Sequence, residues 1–244
     1  MIFQQDFTLE PEGLLAFSPN IIHPEPDIRR LRDAAPVLKN QLPLDDRPLY
    51  YMYREVTRQG DEKVFREYNL RYDITVLVPG LLGDEFIKTV GHFHPLKPHS
   101  SETYPEYYEV LYGEAIYLLQ KNDRASEAEE VIAVRAKKGD KVYIPPNYGH
   151  VTINPGETHL VMANLVERNF KSIYEPFAEK RGAAYYYIQV NDKKNDFVKN
   201  PAYSHQVALK MVGAPSLPAP VEGIENQGLY EAFLKNPEGF KFLV

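Results

Sequence analysis

The sequence predicts an all-β fold, a barrel or sandwich of short strands with appended terminal segments. Short apolar and aromatic segments recur along the chain with turn residues between them, and the 244 residues include 18 tyrosines, 12 phenylalanines and 20 prolines. Aromatic residues favour strands and prolines favour turns, so this composition argues against a helical bundle. A chain of this length is common for one all-β domain.

The composition also bears on compartment and partners. The chain has no run of 18 apolar residues, which argues against a membrane-spanning helix. Its start, MIFQQDFTLEPEG, lacks the stages of a secretory signal. With no cysteine, any metal must be held by His, Asp or Glu, and the net charge of −6 disfavours nucleic acid or an anionic membrane as the main partner. We therefore expect a cytoplasmic protein.

The first half of the chain starts with a weakly patterned segment. DIRRLRDAAPVLKN (27–40) is typical of a short helix with Asp27 as its N-cap and an end near Pro36, and its arginines are expected to form a solvated face. The polar segment TRQGDEK (57–63) is predicted as a turn. Strands are predicted for LYYMYREV (49–56), LRYDITVLVPG (70–80) and FIKTVGHFHP (86–95).

The second half continues the strand pattern. YEVLYGEAIYLLQ (108–120) predicts a β-hairpin or β-bend that turns near Gly113 and Glu114. Further strands are predicted within VIAVRAKKGDKVYIPPNYGHVTINPG (131–156), HLVMANLV (159–166) and AAYYYIQV (183–190). The tail differs, since GAPSLPAPVEG (213–223) reads as an extended linker and LYEAFLKNPEGF (229–240) as a short docking helix.

Two histidines in VGHFHP (90–95) carry the strongest chemical signal. Residues i and i+2 of an extended chain project from the same side, so His92 and His94 offer two imidazoles together. His150 follows a turn at Asn147, a residue type that tolerates positive φ, and this turn can return His150 toward the pair. With a carboxylate such as Glu106, three imidazoles suit Fe²⁺, Mn²⁺, Ni²⁺, Co²⁺ or Zn²⁺ with positions left for water or substrate.

These residues resemble the two motifs of the cupin superfamily, G-x5-HxH-x(3,4)-E-x6-G and G-x5-PxG-x2-H-x3-N. The first motif is represented by His92, His94, Glu106 and Gly113. The second is represented by Gly139, Pro145, Asn147 in place of glycine, His150 and Asn154.

The first motif differs from the pattern in two ways. Its leading glycine is displaced, with Gly91 directly before His92 and Gly83 further back. Eleven residues also separate His94 from Glu106, where the motif has three or four. Glu102 and His99 are therefore alternative ligands. Glu106 is favoured because its spacing to Gly113 fits the motif and because it begins a strand.

The resemblance implies a double-stranded β-helix, or jelly-roll, barrel with short peripheral helices. We assign residues 1–48 to an N-terminal extension whose short helix packs on the barrel, 49–203 to the catalytic barrel, and 204–244 to a C-terminal extension.

Within the superfamily, the chain resembles the cupin-type glucose-6-phosphate isomerases from about residue 28 to 203. The matching segments are TVLVPGLLGDEFIKTVGHFHP (75–95), PEYYEVLYGEAIYLLQ (105–120), VYIPPNYGHVTIN (142–154), FAEKRG (177–182) and NPAY (200–203). This resemblance implies interconversion of glucose 6-phosphate and fructose 6-phosphate, with mannose 6-phosphate as a further candidate. It also implies one divalent ion per subunit, Fe²⁺ first, and a homodimer.

The same resemblance assigns roles to individual residues. His92, His94, Glu106 and His150 would be the metal ligands. Glu106 would also carry the proton, with a metal-assisted hydride shift as the alternative. Tyr108 would hydrogen-bond a sugar hydroxyl or orient Glu106, although it could equally be a packed barrel aromatic. Thr75, Thr89 and the backbone of Gly91 match the family's phosphate contacts, with an ordinary strand threonine as the alternative for Thr75.

Two further positions bear on the cavity. Lys88 is expected on the surface because it alternates with the histidines. Val166 stands where the family often has a tyrosine, and Tyr174 is a candidate replacement.

Two other functions stay open at this point. A cupin Fe²⁺ dioxygenase would use the same ligands without a phosphate pocket. A non-catalytic sugar-binding cupin would have no turnover to lose on chelation.

Overall fold

The computed structural model describes residues 6–43, 45–191, 194–204, 207–216 and 220–244. The first strands are β1 (Phe7–Leu9), β2 (Leu15–Phe17), β3 (Ile21–Ile22), β4 (Asp27–Arg30), β5 (Pro48–Tyr53), β6 (Thr57–Arg58), β7 (Leu70–Leu77), β8 (Leu81–Leu82) and β9 (Glu85–Phe86). The later strands are β10 (Glu106–Tyr112), β11 (Glu114–Asn122), β12 (Ala128–Lys137), β13 (Lys141–Ile144), β14 (Tyr148–Ile153), β15 (Leu160–Glu167), β16 (Tyr185–Asn191), β17 (Lys194–Lys199) and β18 (Leu209–Gly213).

The helices are few and short. They are α1 (Leu31–Ala34), α2 (Glu62–Glu67), α3 (Glu175–Glu179) and α4 (Leu229–Lys235), with 3₁₀ segments at Ala35–Val37, Ala214–Ser216 and Pro237–Leu243. Across the described ranges, no helix combines the length and the apolar character needed to cross a bilayer, since even α4 has only seven residues.

Two sheets form the barrel. One has the strand order β13-β10-β15-β7-β5-β4, and the other has the order β14-β11-β12-β18. Strands β10 and β11 follow each other directly but lie in different sheets, so the segment predicted as a hairpin or a bend is a bend. Gly113 makes this corner with a φ of 81°, and a Cβ there would lie 2.6 Å from the carbonyl oxygen of His159. The predicted all-β barrel is confirmed.

Strand β10 shows how the large sheet separates its two faces. Glu106 and Tyr108 line the cavity inside the barrel, while Tyr107 and Leu111 belong to an aromatic cluster on the opposite face. The first six residues of β10 are all buried, because the barrel covers one face and the C-terminal segment covers the other. We call the face of this sheet that lines the cavity the chemical face, and the face that the C-terminal segment covers the packing face.

The C-terminal segment packs on the same chain's barrel. Phe233 of α4, the predicted docking helix, is fully buried with its ring centroid 4.7 Å from that of Phe65. The main-chain N–H of Leu229 donates to Glu109 Oε2 at 2.6 Å. Strand β18 (209–213) pairs in parallel with β12 and ends where the predicted linker (213–223) begins, and residues 217–219 of that linker lie outside the described ranges.

Two local predictions were only partly right. Within the predicted helix 27–40, residues 31–37 are helical, but residues 27–30 form β4, which pairs antiparallel with β5 and places Asp27 opposite Met52, so Asp27 is not an N-cap. Pairing with an open sheet edge outweighs a weak helical pattern over four residues. In the segment 57–63, residues 59–61 form the predicted turn, β6 precedes them and α2 begins at Glu62.

Candidate metal centre and substrate cavity

The segment that carries His92 and His94 is irregular rather than a full strand. After β9 ends at Phe86, single bridges join Lys88 to Ile153 and His92 to His150. His92 N–H donates to His150 O at 3.2 Å and His150 N–H donates to His92 O at 3.0 Å, so the two histidines face each other across this bridge. Gly91 allows the close approach, since its φ is 79° and a Cβ there would meet Val151 Cγ2 at 2.5 Å.

His150 enters β14 directly after the expected turn. Asn147 has a φ of 70°, in the left-handed region that the sequence predicted. Its backbone N–H donates to Thr103 Oγ1 at 2.7 Å, and Thr103 N–H donates to Asn147 Oδ1 at 3.1 Å. The loop 95–105 is thereby fastened to the turn that aims His150.

Four side chains converge in the cavity inside the barrel. One nitrogen from each of His92, His94 and His150 and one oxygen of Glu106 all lie within 4.8 Å of one another. His92 Nε2 and His94 Nε2 are 3.1 Å apart, and Glu106 Oε2 lies 3.3 Å from His94 Nε2 and 3.2 Å from His150 Nε2. The two alternative ligands, Glu102 and His99, are exposed and stand outside this group.

The chemistry of the group fits a divalent ion. Glu106 Oε2 is buried, and no hydrogen-bond partner for it occurs within the described ranges. Burial lowers the pKa of His92 well below its ordinary value and also lowers the pKa of His150. Burial alone would raise the pKa of Glu106, but the imidazoles of His150 and His94 hold it well below its ordinary value. Neutral imidazoles with an ionised carboxylate are the forms that bind metals, so these four residues could hold one.

Neighbouring groups contact two of the candidate ligands, His94 and His150. His94 Nδ1 donates to the carbonyl oxygen of Tyr104 at 2.7 Å, because a carbonyl can only accept, and this leaves Nε2 with its lone pair toward the group. Tyr108 OH lies 3.1 Å from His150 Nε2. Burial and then the charge of Glu106 raise the pKa of Tyr108 well above its ordinary value, so Tyr108 is a neutral phenol.

The loop that supplies the Tyr104 carbonyl is itself tethered. Lys97 Nζ donates to the carbonyl oxygens of Phe242 at 2.9 Å and Val244 at 2.8 Å, and the Tyr104 ring stacks on Phe170 with centroids 5.4 Å apart. The eleven residues between His94 and Glu106 thus form a loop braced by the last residues of the chain.

The residues matched to phosphate contacts line the same cavity as the four ligands. Thr75, Thr89 and Gly91 all face it. Thr89 Oγ1 accepts from Thr152 N–H at 2.9 Å, so its hydroxyl hydrogen remains able to donate. Tyr174 also lines the cavity, 5.7 Å from His92 between ring centroids, and Val166 lies opposite Glu106 in the sheet register.

The expectation that Lys88 lies on the surface was wrong. It faces away from the cavity, but it is only 5% exposed and not on the surface. Its Nζ donates to Val37 O at 2.8 Å, pairs with Glu85 and lies over the Tyr186 ring. The 3₁₀ turn at Ala35–Val37 covers this side of the segment, which the alternation of residues could not reveal.

Sequence reasoning missed part of the cavity wall. Arg54, Arg71 and Asp73 line the cavity and were not singled out. A signal was available, because residues 71, 73 and 75 share one face of β7 and Thr75 was already a candidate.

The comparisons with known proteins agree with the motifs. A profile of the family described as glucose-6-phosphate isomerase (GPI) matches residues 28–204. The glucose-6-phosphate isomerase of Thermococcus litoralis is 30% identical over 137 residues, covering 52% of this chain and 67% of that protein. That of Thermococcus kodakarensis is 32% identical over 141 residues, covering 58% of this chain and 66% of that protein.

A solved structure of an oxalate oxidase aligns with a TM-score of 0.35 and 16% identity, covering 43% of this chain and 46% of that chain. The family profile, in contrast, spans more than half of the present chain and includes all four converging residues. This chain therefore belongs to the cupin-type glucose-6-phosphate isomerase family.

Proposed function

We propose that this protein is a metal-dependent aldose–ketose isomerase that interconverts glucose 6-phosphate and fructose 6-phosphate. One observation carries the proposal: the four potential ligand atoms converge within 4.8 Å in a cavity that Thr75, Thr89 and Gly91 also line. A single pocket thus combines groups that could hold a divalent ion with groups that could bind a phosphate. Relatives that bear the name of this activity support the assignment of the substrate.

His92, His94, Glu106 and His150 would hold one divalent ion per subunit, with Fe²⁺ as the first expectation and Mn²⁺, Ni²⁺, Co²⁺ or Zn²⁺ as alternatives. Such an ion would supply Lewis-acid polarisation of the sugar oxygens on C1 and C2.

Glu106 carries the proton in the proposed reaction. Isomerisation removes a proton from C2 of the aldose, passes through a cis-enediol and returns a proton to C1, while a hydroxyl proton moves from O2 to O1. Glu106 is buried in the cavity with an ionised carboxylate, the state required of a general base. Tyr108, a neutral phenol two residues away on the same face, is in place to donate a hydrogen bond to a sugar hydroxyl.

The remaining groups bind the phosphate end of the substrate. Thr89 can donate its hydroxyl hydrogen while its oxygen accepts from Thr152. Thr75 is buried on the adjoining wall, and Gly91 brings the backbone to the cavity without a side chain. Hydroxyl and backbone donors of this kind hold a phosphate in one position and direct C1 and C2 toward Glu106.

We further propose that the enzyme works as a homodimer in the cytoplasm, in glycolysis and gluconeogenesis. The dimer follows by analogy with cupins, which pair through sheet edges. Light scattering behind a sizing column would measure its mass directly, and a monomer mass would contradict this part.

The decisive experiment combines metal analysis with an isomerase assay on the wild type and His150→Ala. We expect bound metal and conversion of glucose 6-phosphate in the wild type, and loss of both in the variant. Oxygen uptake in place of isomerisation would favour a dioxygenase, and sugar binding without turnover would favour a binding protein.

The assay in deuterated water also tests the role of Glu106. Proton transfer through an enediol predicts deuterium incorporation into the product. Complete retention of the C2 hydrogen at C1 would instead indicate a hydride shift and remove the base role from Glu106.

A further inference from the structure

One wall of the cavity contains a carboxylate between two guanidinium groups. Arg71 Nε donates to Asp73 Oδ2 at 2.8 Å, and Arg54 Nη1 lies 3.5 Å from the same oxygen. The other oxygen, Oδ1, accepts from Glu55 N–H at 2.9 Å. Since Arg54, Arg71 and Asp73 all line the cavity of the four candidate ligands, their charges act inside the candidate active site.

The two arginines differ in how firmly they are held. Arg71 is only 12% exposed, donates a second hydrogen bond from Nη1 to Arg168 O at 2.7 Å, and lies over the Phe170 ring. These contacts fix its guanidinium on both sides. Arg71 therefore serves mainly to hold Asp73 and the strand ends.

Arg54 is held more loosely. Its side chain is 37% exposed, and its contact with Asp73 at 3.5 Å is at the long limit of a hydrogen bond. Its Nε contacts Asp27 at 3.1 Å, a carboxylate that is 64% exposed to solvent. Its Nη2 contacts the Met52 sulfur at 3.6 Å, and a thioether is a weak acceptor. A stronger acceptor in the cavity would thus improve the hydrogen bonding of Arg54.

The position of Arg54 indicates which acceptor it would meet. Met52 lies opposite Thr75 in the register of β5 and β7, and Arg54 follows Met52 by two residues. Since Asp73 and Thr75 share one face of β7 and Arg54 contacts Asp73, Arg54 lies on the same wall of the cavity as Thr75. The three candidate phosphate contacts Thr75, Thr89 and Gly91 are neutral, whereas Arg54, which lines the same cavity, carries a charge.

We propose that Arg54 is a specificity-determining residue that binds the phosphate of the substrate and supplies the positive charge that the neutral contacts lack. This inference rests on the proposed isomerase function, and it adds a group that the family motifs did not indicate. The planar N–H donors of a guanidinium match the oxygen geometry of a phosphate. It also compensates for Val166, an apolar side chain where a tyrosine was expected.

The test compares Arg54→Met and Arg54→Lys with the control Arg32→Met. Arg32 is 59% exposed and pairs with Asp46 on the surface, so its loss removes one charge without touching the cavity. For the metal-loaded proteins, the measurements are KM and kcat for glucose 6-phosphate, the inhibition constant of inorganic phosphate, and phosphate binding by calorimetry. Metal content and Tm are recorded for each variant.

If Arg54 binds the phosphate, Arg54→Met raises KM and the inhibition constant of phosphate by roughly 10- to 100-fold, as expected for one charge-assisted hydrogen bond. In that case kcat changes much less, Arg54→Lys recovers part of the affinity, and Arg32→Met equals the wild type. An unchanged KM and an unchanged phosphate affinity in Arg54→Met would overturn the proposal. So would a fall in metal content and Tm with the phosphate affinity of the remaining folded protein intact, since Arg54 would then be structural.

The phosphate titration separates this proposal from the proposed function. A wild type that binds phosphate through Arg54 but does not isomerise hexose phosphates would retain the Arg54 site and refute the isomerase. A wild type that isomerises while Arg54→Met binds phosphate normally would retain the isomerase and refute the Arg54 site. A wild type that neither binds phosphate nor turns over the sugar would refute both.

Discussion

The two faces of the large sheet are built from the same strands and differ in what they bury. Toward the barrel interior, the centre of the sheet presents Glu106, Tyr108, Asn164 and Asp73, all buried polar groups. Toward the C-terminal segment, the alternate residues of the same strands belong to an aromatic and aliphatic cluster that includes Tyr72, Tyr107, Phe233 and Phe240. Successive residues of a strand point to opposite faces of the sheet, so a shift of one residue in the register would move each side chain to the other face.

This difference separates stability from chemistry. Buried carboxylates and imidazoles do not stabilise a barrel by themselves, because each charged group loses hydration on burial. The packing face supplies apolar burial that offsets this loss, since α4 and the final 3₁₀ segment cover strands whose other side is polar. The C-terminal segment therefore stabilises the sheet that carries the candidate site, although it lies on the opposite face of the sheet from the cavity.

The strongest test of this separation is His150→Ala on the chemical face. Removing one of four ligands should release the metal and lower kcat/KM by roughly 10²- to 10³-fold or more. The fold should remain, because His150 contributes little apolar area. Elemental analysis, the isomerase assay and circular dichroism check the three parts, and a variant that keeps both metal and turnover would contradict the site.

The matching change on the packing face is Phe233→Ala. Truncating a fully buried phenylalanine typically costs about 3–5 kcal/mol in the free energy of unfolding. Urea unfolding measures this cost, with the exposed Lys235→Ala on the same helix as the control. We expect the folded variant to keep its metal stoichiometry and KM; a selective loss of metal at full stability would show that the two faces are not separate.

A smaller effect is expected for Gly91→Ala, which perturbs the approach of His92 to β14. The left-handed φ costs about 1–3 kcal/mol for a residue with a side chain, and the new Cβ also collides with Val151 Cγ2. Gly60→Ala is the matched control, since its φ is 100° and nothing lies within 4 Å of the new Cβ. Metal affinity should fall in the first variant only, and Val151→Ala should restore part of it. Equal metal affinities in Gly91→Ala and Gly60→Ala would argue against the collision.

The smallest effect concerns Glu109 on the packing face. Burial raises the pKa of Glu109 despite the opposing effects of Lys141 and the Leu229 N–H. The folded state therefore binds this proton more tightly than the unfolded state, so the contribution of Glu109 to stability increases as pH falls from above its folded pKa toward the ordinary carboxyl value. Glu109→Gln should remove this pH dependence, as measured by urea unfolding at several pH values. Parallel stability curves for the two proteins would contradict the assignment.

Much of the site could be predicted because its spacing is local. The pair His92 and His94 needs only the alternation of an extended chain, and the turn at Asn147 needs only the tolerance of asparagine for positive φ. Glu106 could be chosen over Glu102 because its distance to the Gly113 corner fits a motif. The barrel itself follows from recurrent strands and turns.

The predictions that were wrong or missing concern residues whose structure depends on distant segments. Residues 27–30 form a strand because β5 offers an open edge, and the local sequence DIRR does not indicate this pairing. Lys88 is buried because the turn at Ala35–Val37 lies over it, fifty positions earlier in the chain. Arg54 enters the cavity next to Thr75 only through the pairing of β5 with β7, so its role depends on register and not on a motif.

The loop between His94 and Glu106 has a consequence for engineering. Shortening it to the three or four residues of the common motif would remove seven or eight of its eleven residues, so Lys97, Thr103 and Tyr104 could not all keep their present positions. These positions hold the acceptor for one imidazole, the partner of the Asn147 turn and the anchor of Phe242 and Val244. Loop length, imidazole orientation and the docking of the tail thus form a single design unit, and grafting this ligand set onto another scaffold requires all three.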